Sequence, residues 1–150
     1  MKQRSAVISY RDAILLRRIA WFRYELRRFV RFSEHTSRAC GVTPQQHQLL
    51  LGVAGFTQVG SANISELAEF LQERHNAVGG LVKRAVKRGL VRKERSSKDQ
   101  RIVRVSLTRP GAKLLLKMAR QNLEELARVK AQLPRGFNLP HPAPKANKKG

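Results

Sequence analysis

Between Arg74 and Arg104 the chain places 11 Lys and Arg against 2 acidic residues, a net +9 within 31 positions. Basic side chains at this density neutralise phosphates, while polar groups set among them hydrogen-bond base edges. Both kinds are present. His75 and Asn76 suit base edges, Arg74, Lys83, Arg84 and Lys87 carry charge, and Arg95, Lys98, Gln100 and Arg101 form a second group. Catalytic chemistry has no comparable grouping. His35, His47, His75 and His141 lack metal-ligand spacing, and Cys40 is the only cysteine. There is no phosphate-cradling glycine loop and no serine elbow, so neither an enzyme, a metal site nor a cofactor is expected. His47, flanked by Gln46 and Gln48, reads as a capping or surface histidine rather than an effector ligand. Cys40, with only Arg38 nearby as an activating charge, reads as an inert buried thiol rather than an oxidant sensor.

The whole chain of 150 residues carries 31 Lys and Arg against 10 Asp and Glu, a formal +21. Self-repulsion of that size is offset by a polyanion, with nucleic acid ahead of an anionic membrane. The charge is segmented: residues 39–73 hold no Lys or Arg, whereas 1–38 hold 10. A single cysteine excludes an internal disulfide and fits a reducing compartment. The run Leu49 to Phe56 is too short for a bilayer, and Arg11, Asp12, Arg17 and Arg18 interrupt any signal-peptide core. A cytoplasmic protein with no membrane partner is expected.

The elements that must position the basic groups follow from period and punctuation. From Tyr10 to about Arg38 there is no Gly or Pro, and Ile8, Leu15, Phe22 and Phe29 recur every seven residues, with Ile19 and Leu26 between them. Leu15, Ile19, Phe22, Leu26 and Phe29 make either a dimerisation seam or an ordinary core face. Thr43-Pro44-Gln45-Gln46 and Asn63-Ile64-Ser65-Glu66 each start a helix by capping-box logic. After a break near Gln72, Ala77, Val78, Leu81, Val82, Ala85 and Val86 form one helical stripe to about Arg88, closed by Gly89. Leu90 to Arg95 and Arg101 to Leu107 read as strands around the turn Ser96-Ser97-Lys98-Asp99. Thr108 with Pro110 begins a last helix, and residues 134–150 read as a disordered, basic, Pro-rich tail.

The predicted fold is therefore mainly α with a small β-wing: a winged helix-turn-helix with long N- and C-terminal helices for dimerisation. The boundaries are 1–38 for the dimerisation helix, 39–107 for the winged helix, 108–133 for the C-terminal helix and 134–150 for the tail. Ser65, at the start of the first helix of the pair, joins the DNA-contacting set. Gly79 and Gly80 interrupt the exposed face of the second. They permit close backbone approach to the groove floor, or they mark a lost contact and a degenerate site.

In order along the chain, Ile64 to Leu71, Leu81-Val82-Lys83-Arg84, Arg88-Gly89-Leu90-Val91, Asp99-Gln100-Arg101 and Val105 to Thr108 with Gly111 resemble the MarR family of transcription regulators. The resemblance covers roughly residues 40–125. It implies a homodimer on a pseudo-palindromic double-stranded DNA site, often a repressor released by a small-molecule effector. It also implies that Arg101 reaches DNA while Asp99 braces the wing by a salt bridge; a turn-shaping role for Asp99 is the alternative. The Gly79-Gly80 pair, the Pro-rich stretch in place of a final helix, and the +21 charge depart from the family pattern. They keep open a non-specific nucleoid- or RNA-associated binder.

Overall fold

The computed structural model of the chain describes residues 8–57 and 60–133; the expected disordered tail, 134–150, lies outside the described residues. Helix α1 (Tyr10–Ala39) starts at Ser9, whose hydroxyl accepts the Asp12 N–H at 3.2 Å. It stops at Gly41, whose φ of +77° is the left-handed conformation that glycine adopts without strain. Helix α2 (Pro44–Gly55) opens with a full capping box. The Gln46 N–H donates to Thr43 Oγ1 at 3.1 Å and the Thr43 N–H donates to Gln46 Oε1 at 3.2 Å. Asn63 and Glu66 repeat this at 2.9 and 2.7 Å for α3 (Ile64–Leu71). A left-handed Gln72 then turns the chain into α4 (His75–Lys87). Strands β2 (Val91–Arg95) and β3 (Val103–Leu107) lead to α5 (Arg109–Gln132), which is capped by Thr108.

The core is drawn from every layer of this winged helix. Leu49, Leu50 and Val53 of α2 meet Leu67 of α3, Val78, Val82 and Ala85 of α4, Val91 and Val105 of the strands, and Leu115 and Met118 of α5. Burying each such side chain is worth roughly 1.5–3 kcal/mol. The stripe on α4 is therefore what fixes its opposite face outward.

Two features depart from the sequence expectation. A third strand, β1 (Ser61–Asn63), pairs antiparallel with β3 in the register Ser61↔Ser106, Ala62↔Val105 and Asn63↔Arg104. The sheet order is β1-β3-β2, so β3 is central. Three residues are too few to show an alternation, and it is pairing with β3 that makes them a strand. The expected wing strands are also shorter than read. The Leu90 N–H donates to the Ala85 carbonyl at 3.0 Å at the end of α4, and the Ile102 N–H donates to the Asp99 carbonyl at 3.0 Å. These local bonds leave Leu90, Arg101 and Ile102 outside the strands.

Most of the α1 heptad does not face the core of the chain. The buried α1 residues are polar: Glu25, Ser33, Thr36 and Ser37. Leu15, Ile19 and Leu26 are 56, 47 and 48% exposed, and Phe22 and Phe29 are half-buried. The helix lies against α5 through an ion-pair cluster. Arg128 sits 3.7 Å from buried Glu25 and donates to Glu125, whose carboxyl it holds below the usual carboxylate range.

Candidate nucleic-acid interface

Val78, Leu81, Val82 and Ala85 seat α4 on the core. Its outer face presents exposed His75, Asn76, Lys83, Arg84 and Lys87, with Gly79 and Gly80 half-exposed between them. The helix begins at Arg74, which makes no side-chain capping bond. The other four described helices are each capped by a side chain: Ser9, Thr43, Asn63 and Thr108. The first-turn N–H groups of α4 are thus left for an outside acceptor, at the end of the helix where the dipole favours an anion. Ser65 is exposed on the first turn of α3.

Nothing among the described residues requires glycine at 79 or 80. Neither has a positive φ. A Cβ at Gly79 would meet nothing within 4 Å, and one at Gly80 would meet only the Arg84 guanidinium at 3.5 Å. Each glycine costs about 1 kcal/mol relative to alanine in a helix interior. The result is a notch about one turn long in the side-chain surface between Asn76 and Lys83.

Arg95, Lys98, Gln100 and Arg101 are exposed on the wing. Its tip is closed by local bonds: the Ser96 N–H to the Ile102 carbonyl at 2.9 Å, and the Arg101 N–H to Asp99 Oδ1 at 2.9 Å. Asp99 makes no ion pair among the described residues, so its hold on the wing is this turn hydrogen bond. The base of the wing is held by Arg104. Its Nε donates to Ser61 Oγ at 3.0 Å, its guanidinium also reaches the Ser61 carbonyl at 3.2 Å, and it stands 4.0 Å from Glu66.

Sequence reasoning did not single out Arg104 or Arg88. The Arg88 guanidinium donates to Gln46 Oε1 and to the Gly41 carbonyl, both at 2.7 Å. In each case the hydrogen-bond partners are more than 40 residues away, so no local spacing announces them. His47 is a correction. It is 1% exposed, not a surface or capping residue, because its position on α2 faces Ser33 of α1; Nδ1 lies 3.4 Å from Ser33 Oγ and Nε2 has no partner among the described residues. Burial pushes its pKa below the ordinary 6.5. Cys40 is half-buried against the core. Among the described residues no group of three His, Cys, Asp or Glu could hold a metal ion, and no helix is long and apolar enough to cross a membrane.

Comparison with known proteins places this geometry in a family context. The model of the MarR family matches residues 41–102. Among solved structures, AbsC, a MarR family transcriptional regulator from Streptomyces coelicolor, superposes with a TM-score of 0.67 at 18% identity, covering 88% of this chain and 86% of its own. A MepR variant from S. aureus bound to an oligodeoxyribonucleotide gives 0.60 at 20% identity, covering 76% and 82%. NadR in complex with 4-hydroxyphenylacetate gives 0.60 at 22% identity, covering 90% and 88%. A comparison with curated protein sequences finds no match.

Proposed function

We propose that this chain, whose winged helix belongs to the MarR family, is a sequence-specific double-stranded DNA-binding transcription regulator acting as a homodimer. The observation that carries this reading is the outer face of α4. Its amino end is uncapped, Asn76 and His75 stand at that end, and Lys83 and Lys87 follow along the same exposed side. Asn76 and His75 meet base edges in the major groove; Arg74, Lys83, Arg84 and Lys87 meet phosphates. Arg101, with Arg95, Lys98 and Gln100, reaches the minor groove, where a narrow width concentrates negative potential.

The exposed apolar seam of α1 supports the dimer. Leu15, Ile19 and Leu26 are left to solvent in the single chain, together with Leu116 and Leu123 of α5. A two-fold built on these helices sets the recognition helices about 34 Å apart, which suits a pseudo-palindrome. The MepR and NadR structures, one with DNA and one with a small molecule, support reading this chain as a repressor released by a small effector. An effector acts here by binding one spacing of the α4 pair better than the other.

Fluorescence anisotropy across a salt series tests the proposal, on the DNA upstream of the chain's own gene, on genomic fragments selected for binding, and on a scrambled duplex. Site-specific regulation gives at least a ~1,000-fold preference for one duplex at physiological salt. Equal affinity for all of them, with a common steep salt slope, supports the second reading: a non-specific basic binder. The notch at Gly79 and Gly80, where base-reading side chains are missing, favours that alternative.

A further inference from the structure

A cavity of about 280 Å³ opens between α1, α2, the end of α3 and the inner face of α4. Val30 of α1, Pro44 of α2, Leu71 of α3 and Leu81 of α4 give it apolar walls. Its polar lining is unusual for this chain. Basic residues outnumber acidic ones 31 to 10, yet among the described residues the only charged side chains on the cavity are the carboxylates Glu34 and Glu73. Glu34 is paired with Arg38 at 3.5 Å on the outer side of α1, whereas Glu73 has no ion pair among the described residues. His47 also lines the cavity, and its Nε2 is buried without a partner. A polar atom left unsatisfied beside a cavity carries a standing cost, which a bound donor or acceptor relieves.

We infer that this cavity is a binding site for a small amine, with an apolar body among Val30, Leu71 and Leu81 and its ammonium group turned toward Glu73 and Glu34. The size fits. An apolar cavity of roughly 150 Å³ accepts benzene, so this one takes a single ring with a chain of two or three atoms. The sign of the charge follows from the lining: its two charged side chains are carboxylates, Glu73 has no ion pair among the described residues, and Arg38, which is not on the lining, is already paired with Glu34. His47 adds a neutral hydrogen-bonding group, since burial keeps its ring uncharged near neutral pH. As an effector site it rests on the regulator reading above. The cavity is bounded by α1 and α2 on one side and by Leu81 on the inner face of α4 on the other, so its contents bear on how α4 is seated.

The test uses the full-length protein with three probes of one size: 2-phenylethylamine, 2-phenylethanol and phenylacetate, followed by calorimetric titration and thermal shift. The amine should bind at least tenfold more tightly than the alcohol, with phenylacetate weakest. Glu73→Gln, a change at an exposed position, should erase the preference for the amine while leaving alcohol binding and the melting temperature of the free protein unchanged. The overall +21 would attract phenylacetate instead, so a preference for the amine cannot come from net charge. Phenylacetate binding as well as the amine, no binding of any probe at millimolar concentration, or a preference that survives Glu73→Gln would each overturn the inference. Anisotropy on DNA with and without 2-phenylethylamine separates the two claims. An amine that binds in the expected order yet leaves DNA affinity unchanged keeps the site and removes its effector role.

Discussion

Arg88 is bonded to Gln46: its guanidinium donates to Oε1 at 2.7 Å while a second nitrogen donates to the Gly41 carbonyl. The same Oε1 accepts the Thr43 N–H that closes the α2 capping box. The exit of α4 is thus pinned to the corner between α1 and α2, which fixes the carboxyl end of its buried stripe.

Arg88→Ala should remove about 1–2 kcal/mol of stability, measured by urea unfolding, since two charge-assisted bonds are lost at a partly exposed site. Arg88→Lys keeps the charge but cannot reach both acceptors with one ammonium, and should recover less than half of that loss. A neutral result for Arg88→Ala would show that α4 is seated by its apolar face alone.

The glycines divide into two groups with opposite expected signs. Gly79→Ala and Gly80→Ala should each stabilise the free protein, by about 1 kcal/mol at most, because both sites have room and ordinary helical backbone. Gly111→Ala should cost about 1–3 kcal/mol, because its Cβ would overlap the Leu90 carbonyl oxygen, which already accepts from Thr108. Anisotropy on the stabilised Gly79→Ala and Gly80→Ala variants then reads the notch. Weaker DNA binding means that the backbone approaches the groove floor, and unchanged binding means that the contact is absent.

His47 makes stability depend on pH. Its folded pKa lies below the unfolded value, so the neutral ring favours the folded state and protons favour the unfolded chain. Stability from this source is intact above about 6.5 and falls as the pH drops below it, by at most about 1.4 kcal/mol per unit. Thermal melts from pH 7.5 to 5.5 should show this slope in the parent and a flatter one in His47→Gln.

At the DNA surface, Arg101→Ala should weaken binding to every duplex alike and reduce the salt slope by about one, while Asn76→Ala should cost about 1–3 kcal/mol on the preferred duplex only. An Arg101→Ala variant with an unaltered slope would take the wing tip out of the interface.

Ile19→Asp should weaken self-association at least about tenfold in sedimentation equilibrium, because it sets a charge in the α1 seam. A parent chain that is monomeric at tens of micromolar would dispose of the dimer.

Much of this was legible in the residues because the cues are local. Thr43-Pro44 and Asn63-Ile64 marked helix starts, the α4 stripe marked the buried and outward faces, and Gly89 marked the exit. What was not legible depends on contacts distant in sequence. β1 exists only through β3, Arg104 is defined by Ser61 and Glu66, and His47 is buried because α1 crosses over it. The α1 heptad showed a seam but not its partner, because a period of seven reads the same whether the facing helix belongs to the same chain or to a second copy.

The wing is held unequally, with Arg104 fastening its base across three elements and only short-range bonds closing its tip. In the proposed DNA complex, contacts made by α4 would therefore be rigid and those of the tip adaptable. Over evolutionary time the base pairs under α4 would be held fixed, while the flanking steps beneath Arg101 drift, so related operators would share a constant centre in each half-site and variable edges.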